Sequence, residues 1–245
     1  MSRLLIFSFI ALATMAVMIA PAHAQLGVDV IEPNGRLSAN VLQLFAMVTI
    51  LSLAPGIAMM ITCLPFMVIV FSFLRQAIGL QQSPPNMMIM SLSLFLTFFV
   101  MEPVMMDAWQ NGLKPFLDGN ITEAQAFQNA FSPFQDFMLT RVDPDTLTRL
   151  GNALPHRQII DPAAPPSSLL VPSFMLSEIK HGFQIGFVIF LPFLIIDLVV
   201  ASILMAMGMM MVPPSMVSLP FKVGFFVMAD GWMKITEALL QGYAG

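Results

Sequence analysis

The stretch GFQIGFVIFLPFLIIDLVVASILMAMGMMMVPPSMVSLPF, from Gly182 to Phe221, decides the fold of this chain. Asp197 is its only charged residue, and its 40 positions are about twice the ~20 that one membrane-spanning helix needs. Near its end, three methionines meet Pro213 and Pro214, and each proline removes a backbone donor and stops a helix. The stretch therefore predicts two apolar helices that form a hairpin around a methionine-rich turn, residues 207–215.

A second apolar region lies towards the N-terminus. No charged residue occurs from Leu37 to Leu74, which again exceeds one ordinary span. Pro55-Gly56 and Pro65 interrupt this run, so we predict helices over residues 40–53 and 56–74.

The next apolar segment, residues 87–101, is expected to close at Glu102-Pro103 or by Met106. Residues 40–106 are thus predicted to form a first apolar helical hairpin. Residues 182–229 are predicted to form a second hairpin, followed by a C-terminal tail of residues 230–245.

Between the hairpins, residues 107–181 carry five basic and eight acidic side chains and are predicted to form an external helical region. Thr122 with Gln125 has the spacing of a capping box ahead of a helix. Ser132 with Gln135 repeats that spacing and predicts a second helix start.

Residues 1–24 have the pattern of a signal peptide, with Arg3 before an apolar segment and an A-x-A site that ends at Ala24. An uncleaved first membrane helix is the alternative. Cleavage after Ala24 would leave a polar lead, residues 25–39, outside the cytoplasm. With the Arg75 loop inside, residues 107–181 would then lie in the periplasm.

The overall composition places the chain among membrane proteins. It is 58% hydrophobic and only 10% charged, with a mean hydropathy of +0.84, whereas soluble domains carry about 25% charged residues. The net charge of −4 gives no basic footprint for nucleic acid. The single cysteine, Cys63, excludes an intrachain disulfide and reads as a small buried hydrophobe.

Catalysis and cofactor binding find no support in the sequence. The chain lacks the GxxxxGK[ST], HExxH, GxSxG and CxxC patterns of phosphate-binding, metal and nucleophile sites. His156 and His181 stand far apart, and such histidines are more often surface residues than metal ligands. We therefore predict no enzyme activity, no cofactor and no metal.

Asp197 is the unusual residue of the second hairpin, because a carboxylate in the middle of a bilayer costs about 2.5–3.5 kcal/mol. It precedes Gly208 by 11 residues, and Lys222 follows Pro214 by eight, which places them about 17 and 12 Å from the turn. The sequence favours an ion pair between Asp197 and Lys222, within one hairpin or between neighbouring copies. Otherwise Lys222 reaches an interface and Asp197 is protonated.

Two further patterns occur in the same hairpin. Gly182 and Gly186 form a GxxxG motif, which allows close approach of another helix. The methionines of the turn are either ordinary apolar filler in a chain with 23 of them, or a deformable seal of unbranched thioethers.

Three long runs resemble the FliP/SctR family of type III secretion export gate proteins. They are FLRQAIG, PPN followed by SLSLFLTFFVMEPV, and SEIKHGFQIGFVIFLPFLIIDLVVASILMAMGMMMVPPS, followed by LPFK and DGW. The resemblance covers nearly all of the mature chain and is most specific from Leu170 to Trp232.

The resemblance implies a core, pore-forming subunit of the flagellar export gate in the bacterial inner membrane, within the flagellar basal body. About five copies would join FliQ and FliR in a closed helical ring, with FlhB, FlhA and FliO as further partners. Unfolded flagellar subunits would pass through the pore. By the same resemblance, Met209, Met210 and Met211 would form a gasket, with Pro213 and Pro214 shaping its loop.

The resemblance also implies subunit contacts for charged residues. Asp197 and Lys222 match family positions that suit pairing between subunits, and Glu178 would contact a neighbour. One departure is Leu64-Pro65-Phe66, where the family commonly has an arginine at the position of Phe66. Two other functions remain open: an injectisome gate subunit, and a small ion-coupled transporter with Asp197 and Lys222 as a proton relay.

Overall fold

Helices make up almost all of the structure. The computed structural model describes residues 39–80, 84–153, 165–209 and 211–244, and no strand occurs in these ranges. The helices are α1 (Ala39–Ile61), α2 (Leu64–Ile78), α3 (Asn86–Ala108), a π-helical turn (Trp109–Leu113), α4 (Lys114–Leu117), α5 (Glu123–Arg141), α6 (Pro144–Ala153), α7 (Ser167–Ala206), α8 (Pro214–Met228) and α9 (Gly231–Ala244). The predicted all-α fold is confirmed.

The predicted helix over residues 56–74 was wrong. Helix α1 runs through Pro55 to Ile61, and the chain breaks at Thr62 and Cys63. The Thr62 hydroxyl donates to the Ala58 carbonyl at 2.6 Å and accepts from the Leu64 amide at 3.4 Å. These side-chain bonds offer the backbone an alternative to continuing the helix. Pro65 then falls in the first turn of α2, where its missing N–H costs nothing.

The predicted closure at Glu102-Pro103 was also wrong, and the alternative end at Met106 falls two residues short. Helix α3 continues through Pro103 to Ala108 and into the π-helical turn. A proline in a helix removes one hydrogen bond. The packing of α3 on α2 and α5 outweighs that loss.

The two capping-box predictions had opposite outcomes. Thr122 caps α5 as predicted, since its hydroxyl accepts from the Gln125 amide and Gln125 bonds the Thr122 amide in return. The second predicted start was wrong, because α5 runs on through Ser132 and Gln135. The Gln135 side chain instead donates to the Ser167 hydroxyl, 2.6 Å away, where α7 begins.

Helix α7 is the central element, and it runs unbroken for 40 residues with Pro172 and Pro192 inside it. Its most extensive packing is against α2, and it also contacts α5, α6 and α8. The main buried core combines α2 with side chains from the other helices: Cys63, Phe66, Met67, Val70, Phe71, Leu74, Ala77, Ile78, Ile89, Leu96, Met101, Phe193, Phe226 and Leu239. Cys63 is fully buried, as predicted.

The chain divides into two compact units, residues 1–54 and residues 55–245. The described part of the first unit is the N-terminal portion of α1, whose leucine, phenylalanine and methionine side chains are mostly exposed.

Two helical stretches are long and apolar enough to cross a membrane, Asn86–Leu117 and Ser167–Ala206. Val41–Leu53 together with Pro55–Ile61 would make a third span. Within an apolar stretch of 18 residues in α7, only 17% is buried inside the chain. So large an uncovered apolar surface requires lipid or other protein against it.

Candidate functional site

The charged centre of the second hairpin joins three helices. The Lys222 ammonium on α8 lies 2.6 Å from Asp197 Oδ2 on α7 and donates to the Ala77 carbonyl of α2, 3.1 Å away. The Ser218 hydroxyl donates to Asp197 Oδ1 at 2.6 Å. Both carboxylate oxygens therefore accept a hydrogen bond, and the ammonium has an anionic and a neutral partner.

Helix geometry explains why these groups meet. Ser218 and Lys222 are four residues apart, so they lie on one face of α8. Ala77 lies in the last turn of α2, where carbonyls lack helical partners and the helix dipole favours a cation. Lys222 is only 5% exposed, so its charge depends on these contacts.

Glu178 lies in a second buried cluster, at the opposite end of α7 from the methionine-rich turn. Its carboxylate is fully buried, and Oε1 lies 3.5 Å from Arg141 Nε at the end of α5. The Tyr243 hydroxyl of α9 donates to Oε2. Arg141 also donates to the Gly242 carbonyl at 2.9 Å and lies 4.1 Å from the centre of the Tyr243 ring.

This cluster holds α9 against α5 and α7. Burial raises the pKa of Tyr243 well above its ordinary value, so the hydroxyl keeps its proton and remains a donor. The Tyr243 ring stacks on Phe137 and meets Phe66 edge-on, which adds apolar contact on both sides.

A third charged pair joins α6 to α7. Lys180 hydrogen-bonds Asp143 just before α6, and this bond lowers the pKa of the Asp143 carboxyl. The Asp143 carboxylate also accepts from the Asp145 amide, 3.2 Å away, and from the Thr146 hydroxyl at 3.1 Å. The acid thus caps α6 while it pairs with α7.

Gly182 and Gly186 both face α2. A Cβ placed on Gly182 would lie 3.1 Å from the Ile69 side chain, and one on Gly186 would lie 2.6 Å from the Phe73 ring. Both glycines are buried. The close approach of α2 and α7 therefore depends on the absence of side chains at these two positions.

The methionine-rich turn is built to end one helix and begin the next. Gly208 has a φ of +75°, and the Met209 amide bonds the Leu204 carbonyl at 3.0 Å, the pattern of a Schellman C-cap. Pro213 caps α8, and Pro214 is its first residue.

The side chains of this turn project from the chain. Met207 is 67% exposed and Met211 is 98% exposed, whereas Met209 is 41% exposed and lies beside an apolar cleft between α7 and α8. Met210, like the predicted cleavage site Ala24, lies outside the described residues.

The sequence missed several residues of these clusters. Ser218 could have been found, since it lies one helical turn before Lys222. Arg141 and Tyr243 lie 37 and 65 residues from Glu178, and no periodicity links them. The only hint was that Tyr243 is the single tyrosine of the chain.

No group of three or more histidine, cysteine, aspartate or glutamate side chains able to hold a metal occurs among the residues that the structure describes. The charged groups of the site are paired with one another. The arrangement can hold helices in place and present a methionine-rich tip.

Comparison with known proteins gives a consistent result. The model of the FliP family matches residues 47–239. The flagellar biosynthetic protein FliP of Caulobacter vibrioides is 45% identical over 242 residues, covering 98% of this chain and 91% of the relative. That of Bacillus subtilis is 42% identical over 205 residues, covering 84% and 93%. With a family match over most of its length and relatives of this similarity, the chain belongs to the FliP family.

Proposed function

We propose that this chain is a core pore-forming subunit of the flagellar type III export gate, through which unfolded flagellar subunits cross the bacterial inner membrane. Family membership supports the flagellar role, since the relatives are named flagellar biosynthetic proteins. The observation that carries the pore role is the methionine-rich turn, which presents Met209 and Met211 at the tip of the α7–α8 hairpin.

The turn combines a backbone of fixed conformation with flexible methionine side chains. Gly208 and Pro213 fix where α7 ends and α8 begins. Methionine is unbranched and deformable, so a ring of such side chains can close against itself and re-form after a chain has passed. Met209, Met210 and Met211 are the proposed gasket, and Pro213 with Pro214 hold its loop.

Assembly follows from the uncovered apolar surface. A single chain leaves most of α7 uncovered, and exposed methionine, phenylalanine and valine side chains continue along α8. We propose that neighbouring copies, about five in all, cover this surface together with FliQ and FliR. FlhB, FlhA and FliO are further proposed partners, and the flagellar basal body in the inner membrane is the proposed location.

The test replaces Met209, Met210 and Met211 together with serine in cells that carry the assembled gate. We expect ions to leak through the resting gate, because short polar side chains cannot form a dry apolar seal. A matched control replaces Met87 and Met88 with serine in the same way. These side chains are 80% and 63% exposed at the start of α3. Membrane conductance and growth under ionic stress are the measurements.

The control should leave both measurements at the wild-type value. A resting gate that stays tight with the triple serine variant assembled at its normal level would contradict the gasket. An equal leak from the Met87/Met88 variant would also contradict it, because the effect would then not be specific to the turn.

A further inference from the structure

Thioether sulfur is concentrated at the tip of the α7–α8 hairpin. Five of the seven residues from Met205 to Met211 are methionine. The four that the structure describes, at positions 205, 207, 209 and 211, are all exposed. Their side chains are therefore available for contacts outside the fold of the single chain.

The backbone of the turn keeps these side chains close together. The Gly208 amide bonds the Met205 carbonyl at 3.0 Å, and the Val212 amide bonds the Met209 carbonyl at 3.4 Å. Both bonds bend the chain back on itself. The described methionines occupy alternate positions, and residues two apart have Cα atoms at most about 7 Å apart. Neighbouring thioethers can therefore converge on one ion.

Met207 and Met209 also line the same cleft between α7 and α8, which has a volume of about 480 Å³. The other described side chains in its lining are isoleucine, valine, leucine and phenylalanine. Among these side chains, the two sulfurs alone offer lone pairs to a metal ion. No basic residue occurs between His181 and Lys222, so no cationic side chain of the hairpin tip repels a cation.

We propose that this turn binds a cuprous ion, Cu(I), through the thioether sulfurs of Met207, Met209 and Met211. Soft sulfur ligands select Cu(I), whereas hard cations such as Mg²⁺ need carboxylate, carbonyl or water oxygens. A thioether is neutral and has no proton to lose. Binding should therefore not depend on pH, unlike binding at cysteine or histidine ligands. The sequence-based prediction of no metal rested on histidine and cysteine patterns, and methionine is a separate class of ligand.

The metal site and the gasket share side chains but make separate demands on them. In the proposed gate, the turns of several copies face the pore, so neighbouring copies would add thioethers to the site and not cover it. The gasket needs apolar side chains, whereas the ion needs sulfur. Leucine replacements keep the first property and remove the second, so they test the metal site without opening the seal.

Titration of the full-length chain in mild detergent with Ag(I), a redox-stable analogue of Cu(I), tests the proposal. Calorimetry measures the affinity, and native mass spectrometry counts the bound ions. We expect leucine at positions 207, 209 and 211 together to lower the Ag(I) affinity about tenfold or more. Met211→Leu alone, at a side chain that packs on nothing, should lower it by a smaller factor. The wild-type affinity should be the same at about pH 6 and about pH 8.

Two variants control this result. Leucine at Met87, Met88 and Met228 removes three exposed thioethers elsewhere. Met87 and Met88 are adjacent on α3 and point in different directions, and Met228 lies at the far end of α8. Cys63→Ala removes the thiol, which is fully buried. Both variants should bind Ag(I) as the wild type does, and Zn(II) at the same concentration should not bind.

Wild-type affinity in the chain with leucine at 207, 209 and 211 would overturn the proposal, as would an equal loss in the control with three replaced methionines. Loss of Ag(I) on Cys63→Ala would identify the thiol as the ligand instead. Equal binding of Zn(II) would show that the ligands are not thioethers. A gate that stays tight with serine in the turn, in a chain that binds Ag(I), would contradict the gasket alone.

Discussion

Replacing Asp197 with alanine is expected to lower the free energy of unfolding by about 3 kcal/mol, the scale for removing one partner of a buried ion pair. Lys222 would keep only the Ala77 carbonyl as a partner while it remains 5% exposed. Thermal unfolding of the purified chain in detergent measures the loss. Asp118→Ala, at an exposed acid, should change stability by no more than about 0.5 kcal/mol.

Charge reversal separates pairing from simple loss of packing. Asp197→Lys alone should abolish assembly, because two cations would meet at 2.6 Å. Adding Lys222→Asp should restore part of the assembled protein. The rescue is expected to be partial, since a carboxylate at 222 would face the Ala77 carbonyl, which is also an acceptor. A double variant no better than Asp197→Lys would contradict the pairing.

Gly186→Leu should cost about 3 kcal/mol, the upper end of the usual penalty for overpacking a tight contact. Even a Cβ at this position would lie 2.6 Å from the Phe73 ring, so α7 could not keep its distance from α2. Leucine is a good helix former, and the loss would therefore not come from helix propensity. The fraction of protein that stays monodisperse after heating is the measurement.

Two variants control this result. Gly224→Leu on α8 should be nearly neutral, because nothing lies within 4 Å of a Cβ there. Phe73→Ala added to Gly186→Leu should recover much of the loss by making room for the new side chain. An equal loss at both glycines, or no recovery in the double variant, would show that helix packing at Gly186 is not the cause.

The α7–α8 hairpin could be predicted from sequence because its signals are local. An apolar run twice the length of a span must fold back, and Pro213 with Pro214 mark where. The distance of Asp197 and Lys222 from that turn follows from the helical rise alone. The structure then places their charged atoms 2.6 Å apart within one chain.

Prolines misled the prediction elsewhere. Pro55, Pro103 and Pro133 all lie inside helices, although the sequence predicted the end or the start of a helix near each of them. The hydrogen bond that a proline removes is a local loss. Whether the helix continues through the proline depends on how it packs against neighbouring helices. That packing depends on residues distant in sequence, so the sequence around the proline does not predict it.

Glu178 shows the same limit at the candidate site. The resemblance implied a contact with a neighbouring subunit, and this stays a prediction. Within one chain, the carboxylate is already buried against Arg141 and Tyr243. These partners come from two other helices, so only the tertiary fold reveals them.

Photo-crosslinking from the methionine-rich turn tests the pore role most directly. A photoreactive amino acid replaces Met211, which is 98% exposed, or Met228 at the far end of α8, which is 90% exposed. An export substrate fused to a stably folded domain is then stalled in transit. The pore role predicts crosslinks to the stalled substrate from position 211 and few or none from position 228. No crosslink from 211 while the substrate is stalled, or equal crosslinks from both positions, would contradict it.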